Sequence, residues 1–301
     1  MQHEVDGRTA VYGLIGNPVG HSFSPLIHNT IGEGLGQNLI YTTFLVAEKE
    51  RIGDAVRGAY ALGIQGLNVT VPYKGDVIPF VADVDPVAKA IGAVNTLVRV
   101  EGGFKGYNTD YMGLRRALEE MGIELSSMQV ILIGAGGAAR AAGFMCGDAG
   151  VHRLCILNRT MEKAEALACD LRKMFPDMVT DADTLTNAVN KTRELKAEDY
   201  ASGILAIQCT NVGLAPAVEN VPIEDTEFYQ EIDAAYDCIY NPEETKFLQL
   251  VHAAGKPGRN GMDMLLWQGI LAFHLWTGLA PDGELTELVR NKLTAFIHAG
   301  E

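Results

Sequence analysis

The stretch Val130-Ile131-Leu132-Ile133-Gly134-Ala135-Gly136-Gly137-Ala138-Ala139-Arg140 decides how this chain is read. Four apolar residues in a row, closed by glycine, predict a strand buried on both faces. Glycines at positions 134 and 136 allow a tight turn and a close approach of the backbone to a pyrophosphate. Ala139 stands at the last fingerprint position, where a small residue lets the helix pack closely on the strand. The helix N-terminus then faces the phosphates. A glycine fingerprint alone is weak, and a strand before it with a helix after it is the confirming context. A second strand is predicted over 153–157 and ends at Asn158-Arg159-Thr160. About 20 residues past the turn, an acid would serve the ribose hydroxyls of NAD, whereas arginine accommodates the 2′-phosphate of NADP. Residues 154–161 contain no acid, so the expected cofactor is NADP.

Outward from that turn, strand and helix patterns alternate. Strands are predicted at 11–15, 40–46 and 66–71, with helices at 25–34 and 49–62. A hairpin is expected over 94–100 and 103–107, turning at Glu101-Gly102. A helix at 110–121 leads into the second unit, with helices at 137–146 and 161–174. Its remaining strands are predicted at 203–208 and, as the last, 234–236. Such alternation predicts an α/β fold with mostly parallel sheets covered by helices. The polar segment 176–202 reads as a surface excursion with a helical stretch near 185–197. The tail reads as two helices, 262–277 and 284–298, the first with a core face of Trp267, Phe273 and Trp276.

The whole chain sets limits on function. Its 301 residues suffice for one or two domains, and 48% hydrophobic with 21% charged residues is ordinary globular composition. A net charge of −14 without a basic block argues against nucleic acid or anionic membrane as partner. The five cysteines include no C-x-x-C, so no metal site and no redox dithiol is signalled, and they read mostly as core packing. Their odd number fits a reducing compartment. No apolar segment resembles a secretory signal or a membrane span, so a cytoplasmic protein is expected. Monomer and homodimer both stay open.

The first unit carries its own constellations. Gly16-Asn17-Pro18-Val19-Gly20-His21-Ser22-Phe23-Ser24-Pro25 follows the first strand. Ser24 is expected to cap the helix, with Pro25 at its first position. Two hydroxyls at a helix start are equally a cap or an anion site. His21 is expected to pack against the loop. Asn68-Val69-Thr70-Val71-Pro72-Tyr73-Lys74 closes the third strand, where Pro72 cannot donate to the ladder. Thr70 and Lys74 then flank the carboxyl end of a strand, where open α/β sheets bind ligands. Asn95 stands at a strand start, and Asn108-Thr109-Asp110 places a carboxylate just before a helix, where a cap is the plain reading. A lysine beside an aspartate would serve proton transfer to a carbonyl oxygen as a coupled pair. Spacing alone does not show that Lys74 and Asp110 meet.

Taken in order, these motifs resemble the shikimate dehydrogenases, with the quinate/shikimate dehydrogenase branch close by. The likeness extends to Tyr236-Asp237-Cys238-Ile239-Tyr240-Asn241-Pro242 and to the run from Asn260-Gly261 to Gln268. The resemblance implies an N-terminal α/β substrate domain, 1–110, and a Rossmann-type doubly wound NADP domain, 111–261. A cleft lies between them, and the C-terminal helices, 262–301, return to the substrate domain. It implies reversible reduction of 3-dehydroshikimate to shikimate, in aromatic amino-acid biosynthesis. Lys74 and Asp110 would be the catalytic pair. Ser22, Ser24, Thr70, Asn95, Tyr240 and Gln268 would hold the substrate. Gly134, Ala135, Gly136, Gly137, Ala138 and Thr210 would hold the cofactor. Asn158, Arg159, Thr160 and Lys163 would surround the 2′-phosphate, with Cys238 and Gly261 near the nicotinamide. The chain departs from the family at Cys238, where Met is frequent, and at Asn260-Gly261, where Asp-Gly is frequent. Two alternatives remain: a quinate/shikimate enzyme using NAD or both cofactors, and a non-catalytic NADP-binding sensor on the same fold.

Overall fold

The computed structural model describes residues 5–198 and 202–300, with side chains described through Ile297. The chain divides into two compact units, Met1–Gly113 with Leu266–Glu301, and Leu114–Leu265.

The first unit is built on β1 (Ala10–Gly16), β2 (Leu39–Leu45), β3 (Gly66–Val69), β4 (Asp83–Val84), β5 (Thr96–Val100) and β6 (Gly103–Tyr107). They form one sheet in the order β2-β1-β3-β5-β6-β4. β1 runs parallel to both its neighbours, β2 and β3. β5 is antiparallel to β3 and to β6, while the β2–β1, β1–β3 and β6–β4 pairs are parallel, so this sheet is mixed. The reversal comes from the expected hairpin, whose Gly102 has φ +81°, open to glycine. Three helices, α1 (Ser24–Gly34), α2 (Ile52–Ala61) and α3 (Pro86–Ile91), belong here, and α4 (Asp110–Glu120) begins here. The expected helix at 49–62 is a 3₁₀ turn, Lys49–Arg51, followed by α2. β3 ends at Val69, two residues short of expectation, although backbone bonds to the β1 side continue past it. The Thr70 N–H donates to Ile15 O at 2.9 Å, and the Asn17 N–H donates to Val71 O at 3.0 Å.

The second unit holds β7 (Met128–Ile133), β8 (Arg153–Asn158), β9 (Val179–Thr184), β10 (Gly203–Gln208), β11 (Ala234–Asp237) and β12 (Gly258–Arg259). All are parallel, in the order β12-β11-β10-β7-β8-β9. That is the doubly wound order, with the reversal at β7. Its helices are α5 (Gly137–Asp148), α6 (Met161–Met174), α7 (Ala188–Lys196), α8 (Glu227–Glu231) and α9 (Lys246–Ala253). Ile131, Ile133, Leu157, Ala206, Phe228 and Phe247 are buried together between sheet and helices.

Two expectations are corrected here. The segment 176–202 is not an excursion: it supplies the edge strand β9 and then α7. β9 is polar because a cation partners it, Arg153 on β8 reaching Asp181 at 2.7 Å. Residues 199–201 of that segment lie outside the described residues. The strand at 234–236 is not the last, since the two-residue β12 pairs with β11 beyond it. Two residues are too short for any periodic signal.

α10 (Met262–Thr277) and α11 (Gly283–Gly300) complete the chain, and from Leu266 onward they belong to the first unit. Phe273 is buried, and the Trp276 indole N–H donates to Leu97 O at 3.0 Å. Gly66 has no side chain because one would lie 2.4 Å from that indole nitrogen. His28 stacks on Tyr41 with centroids 4.3 Å apart, and burial pushes its pKa down to about 3. It therefore packs as a neutral core ring.

In the second unit Asp237 is fully buried, and burial pushes its carboxyl up to about 7. The Thr245 hydroxyl at 2.6 Å and the Ile239 N–H at 3.0 Å oppose that rise. The folded protein therefore holds this proton more tightly than the unfolded chain. Below the unfolded value the group contributes nothing. As pH rises towards about 7 it costs up to about 1.4 kcal/mol per unit, and the cost is complete above. Asp237→Asn should flatten the fall in stability between about pH 4 and 7, measured by denaturant titration. Equal pH slopes in both proteins would refute this.

Candidate active site

Strand directions gather the first unit's candidates at one edge of its sheet. β1 and β3 are parallel, so the loops carrying Ser22 and Lys74 leave at the same end. β5 is antiparallel to β3, so Asn95, which precedes β5, comes to that end too. β6 reverses again and delivers Asn108, Thr109 and Asp110 there. β1 is flanked by β2 on one side and β3 on the other, the switch-point arrangement beside which such sheets bind ligands.

Lys74 and Asp110 do meet. Nζ donates to Asp110 Oδ2 at 2.8 Å, with side chains 21% and 7% exposed, so one end of the ammonium remains reachable. The other carboxylate oxygen, Oδ1, accepts from Asn95 Nδ2 at 2.8 Å. Asp110 is the first residue of α4, and its two carboxylate oxygens are engaged by Lys74 and Asn95. Its own N–H donates to Asn108 Oδ1 at 3.0 Å.

Beneath this pair lies a buried layer of hydrogen bonds that the motifs did not announce, though several of its residues stand in them. Asn95 Oδ1 accepts from the Thr109 N–H at 2.8 Å and from the Thr96 hydroxyl at 3.0 Å. Two donors on one oxygen fix the amide so that Nδ2 must face Asp110. Thr96 Oγ1 in turn accepts from Asn68 Nδ2 at 3.1 Å, and Asn68 Oδ1 accepts from the Tyr41 hydroxyl at 2.8 Å. Thr96→Val keeps the shape but leaves Asn68 and Asn95 each short of a partner. It should cost about 1–3 kcal/mol of stability, and Thr96→Ser should recover most of it. Denaturant titration that finds Val and Ser equally stable would exclude the hydroxyl's role.

Ser24 is buried and Ser22 half-buried. The expected cap is corrected: Ser24 is the first residue of α1 and Phe23 occupies the cap position. Pro25 therefore takes the second helical position. The Ser22 hydroxyl accepts from the Ser24 N–H and donates to Ser24 Oγ, both at 3.2 Å. Both hydroxyls are thus held at the helix start. Thr70 follows β3, and Gly16 is required beside it, since a Cβ there would lie 2.3 Å from Thr70 Cγ2. His21 is exposed rather than packed. Gln268 lies on α10 within the first unit. Tyr240 belongs to the second unit, in the loop after β11. Burial raises its pKa.

In the second unit, Gly134 follows β7 with φ +114°, a conformation side chains rarely adopt. Its N–H donates to Leu157 O at 2.8 Å. A Cβ there would come within 3.0 Å of Thr210 Cγ2 and 3.3 Å of the Cys209 carbonyl carbon. Gly136 caps α5 with no side-chain bond, no acid stands in the first turn, and a Cβ on it would meet nothing within 4 Å. That open helix start fits a dinucleotide phosphate. Ala135 precedes it, Gly137 and Ala138 open α5, and Ala139 is fully buried against the sheet. After β8, Asn158 Nδ2 donates to Thr160 O at 2.9 Å and shapes the loop. Arg159 and Lys163 beside it are exposed. Thr210 follows β10, its N–H bonded to the Gln208 side chain. Gly261 packs on Cys238, where a Cβ would lie 2.3 Å from the Cys238 carbonyl oxygen. Of the cysteines, only Cys146 and Cys155 are buried, which corrects the expectation that most are core. Among the described residues no group of three or more His, Cys, Asp or Glu could hold a metal ion, and no helix is long and apolar enough to cross a membrane.

A carboxylate-held lysine on one α/β unit and a dinucleotide turn on another define the class of nicotinamide-dependent oxidoreductases. The chain is 41% identical over 285 residues to the shikimate dehydrogenase (NADP(+)) of Bacillus cereus, covering 94% of this chain and 98% of that one. It belongs to the shikimate dehydrogenase family. Family models match at residues 14–97 (shikimate dehydrogenase substrate binding domain), 115–193 (shikimate / quinate 5-dehydrogenase) and 261–293 (shikimate 5'-dehydrogenase C-terminal domain). The shikimate 5-dehydrogenase of Listeria monocytogenes, solved with shikimate and NAD, is 28% identical with TM-score 0.86 over 97% of this chain and 99% of that one. The Thermus thermophilus enzyme, solved with NADP(H) and shikimate, is 34% identical with TM-score 0.78 over 94% and 99%.

Proposed function

We propose that this protein catalyses the reversible NADPH-dependent reduction of 3-dehydroshikimate to shikimate. The observation that carries the reading is the Lys74–Asp110 ion pair at the strand ends of a family-matched substrate unit. Reduction of a carbonyl needs a hydride at carbon and a proton at oxygen. The nicotinamide supplies or accepts the hydride when bound. Lys74 Nζ gives the proton to the developing alkoxide and takes it back in the reverse direction. Asp110 Oδ2 holds the ammonium in place, and Asn95 holds Asp110. Ser22 and Ser24 bind the substrate carboxylate, and Thr70, Asn95, Tyr240 and Gln268 bind ring hydroxyls or the carboxylate.

Gly134 to Ala138 and Thr210 hold the cofactor's pyrophosphate side. Asn158, Arg159, Thr160 and Lys163 form the 2′-phosphate pocket, and Cys238 and Gly261 line the nicotinamide end. The substrate domain is 1–110 with the C-terminal helices, and the NADP domain 111–261. The free cysteines suit a cytoplasmic, reducing setting.

A second reading, a quinate/shikimate enzyme that also takes NAD, has support in the Listeria relative solved with NAD. Quinate differs by one hydroxyl, which a pocket can reject weakly or strongly depending on its own polar groups. Initial rates with shikimate and quinate, each against NADP and NAD, test both. The highest kcat/KM is expected for shikimate with NADP. A higher value for quinate with NAD would favour the second reading, and no turnover in any combination would overturn both.

A further inference from the structure

None of the steps above uses a thiol, yet two thiols touch beside the dinucleotide turn. Cys209 follows β10 and Cys238 follows β11. These strands are paired with Gln208 opposite Asp237, so the two cysteines are the next residues in register. The Cys238 N–H still donates to Gln208 O at 2.8 Å. The two sulfurs lie 3.6 Å apart. Neighbouring strands sit about 4.8 Å apart, within the Cα separations of about 4.4–6.8 Å that disulfides span. Both residues are half-buried, whereas Cys146 and Cys155 are fully buried.

We propose that Cys209 and Cys238 form a reversible disulfide by exchange with a small-molecule disulfide, and that closing it weakens the second unit's hold on the dinucleotide. Contact with Cys238, then burial, pushes the Cys209 thiol well up. The Cys238 thiolate attacks the reagent R–S–S–R, forming Cys238–S–S–R and expelling RS⁻. Cys209 then loses its proton and attacks Cys238 Sγ, expelling the second RS⁻. Two protein thiols are oxidised and one small disulfide is reduced to two thiols. The sulfurs must close from 3.6 Å to about 2.05 Å, which draws Cys209 towards Cys238. Cys209 backbone is the wall against which Gly134 packs, at 3.3 Å from the Cβ position of that glycine. Moving this wall alters the turn that faces the pyrophosphate. The effect on the dinucleotide rests on the cofactor reading above, whereas the bond itself does not.

The test treats the intact enzyme with oxidised glutathione, then measures intact mass, linked peptides and NADPH affinity. Expected are a mass lower by about 2 Da, a peptide joining Cys209 to Cys238, and NADPH binding weaker by about fivefold or more, all reversed by dithiothreitol. Cys209→Ser should keep the reduced enzyme's turnover and stop at a glutathione adduct on Cys238. An unchanged mass, a lasting adduct on wild-type Cys238, or linkage through Cys169 would overturn the disulfide. A formed bond with unchanged NADPH affinity would overturn the coupling. Failure of the reduced enzyme to bind NADPH would instead refute the cofactor reading and leave the mass result standing.

Discussion

Lys74→Ala should lower kcat for shikimate oxidation by about 10² to 10⁴, with KM changed little. That range is what a positioned acid–base group contributes. The direction of the split follows from the geometry. Ser22, Ser24 and Thr70 remain at the sheet edge when Lys74 is gone, so ground-state binding survives. The proton carrier does not, and no other cation among the described residues is bonded to Asp110. Asp110 keeps only the Asn95 amide in that variant, and its side chain is 7% exposed. Such a carboxylate loses its countercharge, so stability should also fall, by up to about 3 kcal/mol. Rates must therefore be taken well below the variant's own melting range, with circular dichroism to verify folding. Asp110→Asn is the companion: it keeps the shape but no longer anchors an ammonium, and should lower kcat in the same direction. Near-wild-type turnover in folded Lys74→Ala would remove lysine from the chemistry.

Arg159→Ala should weaken NADPH binding by about 10- to 100-fold while leaving NADH within about threefold. The figure follows from one charge-assisted contact to a phosphate, about 1.5–3 kcal/mol, at 1.4 kcal/mol per tenfold. Arg159 is exposed just past β8, so removing it leaves no cavity in the core. Lys163, one turn into α6, remains as a second cation and keeps the loss finite. Isothermal titration with both cofactors gives the comparison directly. Equal losses for NADPH and NADH would show that Arg159 does not read the 2′-phosphate.

Legibility differed from element to element. β7 and its glycine turn were plain in the sequence because a parallel strand buried on both faces must be apolar throughout. The two-unit α/β organisation and most element positions followed from the same rule. β9 was not legible. It lies at a sheet edge, and its Asp181 is satisfied by Arg153, so neither apolar periodicity nor turn chemistry marks it. β12 was too short to register. Ser24 looked like a cap because its type is right for one. Helix α1 begins one residue earlier, and Ser22 makes the local hydrogen bond instead.

By themselves, the residues determined the fold class, the dinucleotide turn with Arg159 beyond it, and which side chains were chemically able to act. Local sequence carries these because strand burial, turn conformation and side-chain type are local properties. Only the tertiary structure decided that Lys74 and Asp110, 36 residues apart, meet at 2.8 Å. It also decided that Thr96 and Asn68 hold Asn95 in orientation, and that Cys209 touches Cys238. Each of those contacts depends on strand order and direction, β3 beside β5 and β10 beside β11. Those pairings arise between residues far apart in the chain, so no local pattern encodes them.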